Sequence, residues 1–103
     1  MAVGGHGIVS VASNEIPGEL VKMVEAAERN DFAAARAIHA RILPLMSINF
    51  VESNPQPVKA AMAAMGLLEE VYRLPMVAPR AESKAKIFEV LKALGLLQKP
   101  AFA

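Results

Sequence analysis

The sequence predicts a mainly α fold, one short strand followed by about four helices, and three observations carry that expectation. Apolar residues recur at helical spacing through most of the 103 residues. Asn, Asp, Pro and Gly break that pattern at regular intervals, as helix stops and starts do. A single run, Ile8-Val9-Ser10-Val11 behind Gly4-Gly5-His6-Gly7, has the β-branched character of a buried strand. That strand, expected over about 7–12, cannot satisfy its own backbone donors and acceptors, so it needs partners that the remaining residues do not obviously provide.

The helices follow in order. Ser13, Asn14 and Pro17 supply a turn and a helix start, and helix one is expected from about Pro17 to Arg29, with Leu20, Val24 and Ala27 on one face. Asn30-Asp31 is a stop and start, because Asn tolerates the left-handed conformation and Asp accepts from free N–H groups of a following helix. Helix two is expected from Phe32 to about Val51, with Ile38, Ile42, Leu45, Met46 and Asn49 on one side. Pro44 inside it predicts a kink near Arg41, or a break into two helices. Ser53-Asn54-Pro55 starts helix three, about Pro55 to Met65, with Asn54 as its cap and Gly66 as its terminator. A proline-punctuated connector, Leu74-Pro75-Met76-Val77-Ala78-Pro79, leads to helix four, about Ala81 to Leu94, with Ile87, Phe88, Leu91 and Leu94 on one face and Gly95 at its end. Gln98 to Ala103 is expected to fray.

Composition narrows the functional classes. Hydrophobic residues make up 54% of the chain and the mean hydropathy is +0.36, rich for a small domain that must cover its own core, so part of the apolar surface is expected to meet another chain. Eleven basic and ten acidic residues leave a net charge of +1 without long runs, which offers no footprint for nucleic acid or an anionic membrane. The absence of cysteine removes disulfides, thiolate nucleophiles and cysteine-type zinc sites and fits a cytoplasmic protein. No segment approaches the apolar length of a membrane span, and the amino end lacks the pattern of a secretory leader.

The inventory for catalysis is thin. His6 and His39 are far apart in sequence and form no ligand pair of metal-binding spacing, so neither metal nor cofactor is implied. The glycines of Gly4-Gly5-x-Gly7 precede the strand, whereas a phosphate-binding loop follows one and opens a helix. Glu52, Glu69 and Glu70 read as solvated charges without a partner acid, and Lys59 and Lys86 as polar-face residues without the desolvation a Schiff-base lysine needs. The methionines read as core filler.

Four stretches, taken together, resemble a known family. Gly4-Gly5-His6-Gly7-Ile8-Val9-Ser10-Val11-Ala12-Ser13-Asn14, Arg41-Ile42-Leu43-Pro44-Leu45, Phe50-Val51-Glu52-Ser53-Asn54-Pro55-Gln56-Pro57-Val58-Lys59 and Leu74-Pro75-Met76 are similar, in order and spacing, to the carboxy-terminal part of the dihydrodipicolinate synthase and N-acetylneuraminate lyase family. The resemblance implies a (β/α)8 barrel with a helical extension, in which a barrel lysine forms a Schiff base with pyruvate that then condenses with aspartate semialdehyde in lysine biosynthesis. It maps residues 1–30 to the last βα unit of the barrel and residues 31–103 to the helical extension. One strand of eight cannot build a barrel, which takes about 250 residues. The family's Schiff-base lysine, proton-relaying tyrosine, carboxylate-binding threonines and aldehyde-selecting arginine map upstream of Gly4. Tyr72 matches none of those roles. The one contribution that carries over is the backbone carbonyl of Val9, which faces the pyruvate site in the family.

Met1-Ala2-Val3 resembles the end of the connection that leads into the last barrel strand, so a chain shortened from a longer one is expected. The expected function is therefore the carboxy-terminal part of a pyruvate-dependent class I aldolase-type enzyme, inactive alone. The alternative is a helical self-association module without catalysis. A homo-oligomer is expected on either reading, with the orphan strand paired to a second copy, and no nucleic acid or membrane as partner.

Overall fold

A computed structural model of the chain describes residues 1–97. Within them a 3-10 turn, Ala12–Asn14, precedes four helices: α1 (Pro17–Glu28), α2 (Phe32–Ile48), α3 (Gln56–Ala64) and α4 (Ala81–Ala93). α1 packs on α2, α2 on α4 and α4 on α3, giving a slab with extents of 41 × 38 × 20 Å. A slab only about two helices thick leaves much of each helix on an outer face.

The helix ends follow the local chemistry of the sequence. Asn30 takes φ 61°, Gly66 φ 74° and Gly95 φ 68°, each the residue just beyond a helix. In all three the next N–H reaches back to a carbonyl of the last turn: Asp31 to Ala26, Leu67 to Met62 and Leu96 to Leu91, each at 2.9 Å. This Schellman arrangement satisfies carbonyls that the helix end would otherwise leave empty. Asp31 then accepts from the N–H of Ala34 at 3.0 Å and caps α2. Helix four and the Asn30-Asp31 hairpin thus form as the sequence predicts.

Four expectations are corrected. The strand over about 7–12 does not form: residues 5–10 take no regular structure, no backbone–backbone hydrogen bond is donated by them among the described residues, and Ala12 already belongs to the 3-10 turn. No neighbouring strand exists among the described residues to complete a ladder, so β propensity has nothing to act on. Ser13 and Asn14 do not cap α1; their side chains reach backward, Ser13 Oγ donating to the Ser10 carbonyl at 2.6 Å and Asn14 Nδ2 to the Val11 carbonyl at 2.9 Å. α2 stops at Ile48 rather than Val51, and it runs through Pro44 as one helix, so the alternative of a break into two helices does not occur. Ala40 and Pro44 both lie on its exposed side, where water can serve the carbonyl that loses its partner. At α3, Pro55 rather than Asn54 occupies the N-cap position, and Pro57 takes the first-turn place where a missing N–H costs nothing. The expected fraying of Gln98 to Ala103 lies outside the described residues.

The core is one cluster in which Ile42 and Leu45 of α2 meet Leu20 of α1, Ala60 and Ala61 of α3, and Ile87 and Leu91 of α4. Phe88, expected on the same face as Ile87, is instead 46% exposed. α4 aims Ser83, Ile87 and Leu91 inward, at four-residue spacing, and Phe88 lies a further 100° around the helix. Substitution by alanine separates these positions. Ile42→Ala is expected to cost about 2–5 kcal/mol in chemical denaturation, the range for a buried aliphatic that leaves a cavity, whereas Phe88→Ala should cost clearly less in the same measurement.

Candidate functional site

Segment 7–11, irregular up to Ser10 and turning into the 3-10 turn at Val11, lies against α1 and α2, and three shallow apolar hollows open around it. One, of about 320 Å³, is bounded by Gly7, Ile8, Pro17, Val21 and Val24. A second lies between Ile8, Met23, Val24, Ala27, Phe32, Ala35 and His39. The third, of about 360 Å³, is lined by Ile8, Val9, Ser10, Val11, Met46 and Phe50. Ile8 touches all three, so they form one continuous apolar surface. Val9, the residue expected to offer a carbonyl to a pyruvate site, stands in the third hollow with its side chain fully exposed. Ile8 and Phe50, which line the same hollow, are exposed as well, and Val21 is exposed at the first hollow. Large apolar side chains gathered on one face mark a surface built to be covered.

The candidate polar residues do not converge there. His39 lines the second and third hollows, while His6 lies in a separate polar hollow with Met1, Glu28 and Asn30. Among the described residues no group of three or more His, Asp and Glu comes together as a metal site would require. Lys59 places its ammonium 5.3 Å from the centre of the Tyr72 ring. Tyr72 donates its hydroxyl to Glu70 Oε1 at 3.0 Å, and Glu70 also pairs with Lys84. Burial first, and the Glu70 carboxylate second, push the Tyr72 hydroxyl far above its ordinary range, so it stays a donor.

Two carboxylates have roles that the sequence does not announce. Glu52, read as a solvated charge, instead accepts from the Arg80 N–H at 2.9 Å and reaches the Arg80 side chain at 3.5 Å. The Ser83 hydroxyl and the Arg80 N–H hold its carboxyl below the ordinary range. It thereby caps α4 from 28 residues away, since Arg80 at the N-cap brings no side-chain cap of its own. The F-V-E-x-N-P stretch is thus tied to the start of the last helix by its glutamate.

Glu15 is the second. It sits at the end of the 3-10 turn, 5% exposed, and accepts from Asn49 Nδ2 at 2.6 Å through Oε2. Burial raises its carboxyl to about 7, against the opposing pull of the Asn49 hydrogen bond. The sequence gives half of this pair: Asn49 falls on the apolar side of helix two and breaks its stripe, whereas nothing local points to Glu15, 34 residues away, as its partner.

Residues 1–94 match the Dihydrodipicolinate synthetase family. The chain belongs to that family. It is 54% identical over all 103 residues to 4-hydroxy-tetrahydrodipicolinate synthase of Koribacter versatilis, covering 34% of that protein. Over 97 residues it is 50% identical to the enzyme of the same name from Chlorobium chlorochromatii, covering 94% of this chain and 33% of the relative. Among solved structures, dihydrodipicolinate synthase of Aquifex aeolicus superposes with a TM-score of 0.91 at 39% identity, over 96% of this chain and 34% of that one. The pyruvate complex of chloride-inhibited dihydrodipicolinate synthase from Acinetobacter baumannii superposes with a TM-score of 0.88 at 32% identity, over 92% and 33%.

The chain therefore spans about a third of the length of the synthases it matches. Its helices correspond to the helical carboxy-terminal part of the family's (β/α)8 barrel, as the resemblance implied.

The raised Glu15 carboxyl fixes a pH dependence. The unfolded chain ionises Glu15 near 4.5 and the folded chain near 7, so the unfolded state gives up its proton first as pH rises. Glu15's contribution is most favourable below about 4.5, is lost progressively up to about 7, and is constant above. Glu19, Glu52 and Glu70, all held below the ordinary range, act in the opposite sense and only at lower pH. Chemical denaturation between these limits should show a fall in stability of roughly 2–3 kcal/mol, which Glu15→Gln removes.

Proposed function

We propose that this chain is the carboxy-terminal part of a dihydrodipicolinate synthase, an enzyme that joins pyruvate to aspartate semialdehyde in lysine biosynthesis. The observation that carries the reading is the combination of 54% identity over the whole chain with coverage of 34% of the relative. On this reading the apolar surface along segment 7–11 is the face that receives the neighbouring barrel elements. The exposed backbone of residues 5–10 supplies the last strand once a neighbour is present, and the Val9 carbonyl is turned toward pyruvate. The lysine that forms the Schiff base, the tyrosine that relays protons and the residues that select the aldehyde belong to the preceding two thirds of a family-length chain. Alone, this chain then supplies binding surface but no nucleophile, and it works in the cytoplasm where the pathway runs.

A second reading has its own support in the exposed Ile8, Val9, Val21 and Phe50. Such a face, left open, favours pairing of two copies through their 7–11 segments, a self-association module rather than an enzyme.

Two measurements separate these. Incubation with pyruvate and borohydride should leave the mass of the chain unchanged; a trapped pyruvyl adduct on Lys59 or any other lysine overturns the assignment of inactivity. Sedimentation over a wide concentration range should show a monomer at low concentration that associates as concentration rises, and a species that stays monomeric throughout removes the second reading.

A further inference from the structure

Glu15 and Asn49 meet where the start of α1 crosses the end of α2, and both are shut off from solvent, at 5% and 0% exposure. The single hydrogen bond between them uses Asn49 Nδ2 and Glu15 Oε2. Glu15 Oε1 and Asn49 Oδ1 remain, both buried and both without a partner among the described residues. Two acceptors cannot satisfy one another, and a carboxylate there would add a buried charge to two empty acceptors. Burial without a partner is the costly state for either group.

One proton changes the arrangement. A carboxylic acid can donate from Oε1 to Asn49 Oδ1 while still accepting from Nδ2 at Oε2, closing an acid–amide ring in which both orphaned oxygens are used. We propose that Glu15 and Asn49 form a proton-operated latch, closed when a proton on Glu15 Oε1 bridges to Asn49 Oδ1 and opened when that proton is released to solvent. No second acid or base is required, because Asn49 takes no part in the titration.

The surroundings leave the proton to these two residues. Glu19, one turn along α1, is engaged by Lys22 and Arg41. On α2, His39 lines the hollows beside segment 7–11. On α3, Lys59 lies over the Tyr72 ring, and on α4, Lys84 pairs with Glu70. Burial and the Asn49 hydrogen bond are the causes acting on Glu15, and they place its titration at about 7.

The latch joins residues 34 apart in sequence. Its Glu15 end belongs to the turn that terminates the irregular segment: the Glu15 N–H donates to Ala12 and the Ile16 N–H to Ala12 as well, at 3.0 and 2.9 Å. Opening the latch therefore loosens the seat of segment 7–11 against α2, and with it the backbone around Val9. The inference concerns packing within this chain and stands whether or not the chain serves a synthase.

The test is a titration of the Glu15 side-chain carboxyl carbon by NMR in the whole chain, with amide hydrogen exchange of Glu15 and Ile16 followed over the same pH range. A latch predicts a Glu15 midpoint near 7 and, above it, exchange at these amides about tenfold faster than the ordinary pH dependence of exchange explains. Glu15→Gln keeps a donor for Asn49 Oδ1 and an acceptor for Nδ2 at every pH, so the step in exchange should vanish while the amides stay protected. The wild-type titration decides the matter even where that variant fails to fold. A Glu15 midpoint near the ordinary carboxylate value overturns the latch, as does a raised midpoint without a step in exchange, or the same step in Glu15→Gln. So does a crystal structure at low pH with a water bridging Oε1 and Oδ1.

Discussion

The seam along α2 holds this chain together. Ile42 and Leu45, at 1% and 0% exposure, face α1 through Leu20 on one side and α4 through Ile87 and Leu91 on the other, with Ala60 and Ala61 of α3 closing the cluster. Every helix buries its apolar stripe against this seam, and helices of nine to seventeen residues gain most of their stability from such packing rather than from propensity. Small residues on α3 let the neighbouring backbones come close. The seam also explains why α2 tolerates Pro44: the buried positions lie on one side, and the proline and the carbonyl it deprives lie on the other.

What the seam does not use is as informative. The slab is thin, and the outer sides of α1 and α2, with Val21, Val24 and Phe32, and Phe50 just beyond α2, lie along an irregular segment that lacks a ladder. On the proposed reading such a face receives the neighbouring barrel elements, since the chain spans about a third of the length of its relatives and superposes closely on the Aquifex aeolicus synthase. The segment rich in β-branched residues is consistent with a strand that forms only when a neighbouring strand supplies hydrogen bonds.

Polar residues complete the architecture at two joints. Glu52 fastens the loop after α2 to the N-terminus of α4, and Glu15 fastens the entry to α1 to the end of α2. Both contacts join residues about thirty apart, and both carboxyls leave their ordinary range in opposite directions. Glu52 meets an N–H, a hydroxyl and a guanidinium at the surface and favours its charge, whereas Glu15 meets one amide in the interior and loses it. The same side chain thus serves as an anion in one joint and as a proton carrier in the other.

Local chemistry alone determined the number and order of the helices and most of their ends. Asn30, Gly66 and Gly95 stop helices because they accept the left-handed conformation, and Asp31 starts one because its carboxylate meets free N–H groups. The family was legible as well, since its motifs are runs of adjacent residues. Tertiary structure decided whether residues 7–11 formed a strand, which way Phe88 faced, and what Glu15 and Glu52 did. Each of these depends on an atom far away in sequence: a missing strand neighbour, the direction of the core, an amide 34 residues on, an N–H 28 residues on. Periodicity and capping report only what lies within one or two turns, so contacts of that span appear only when the chain has folded.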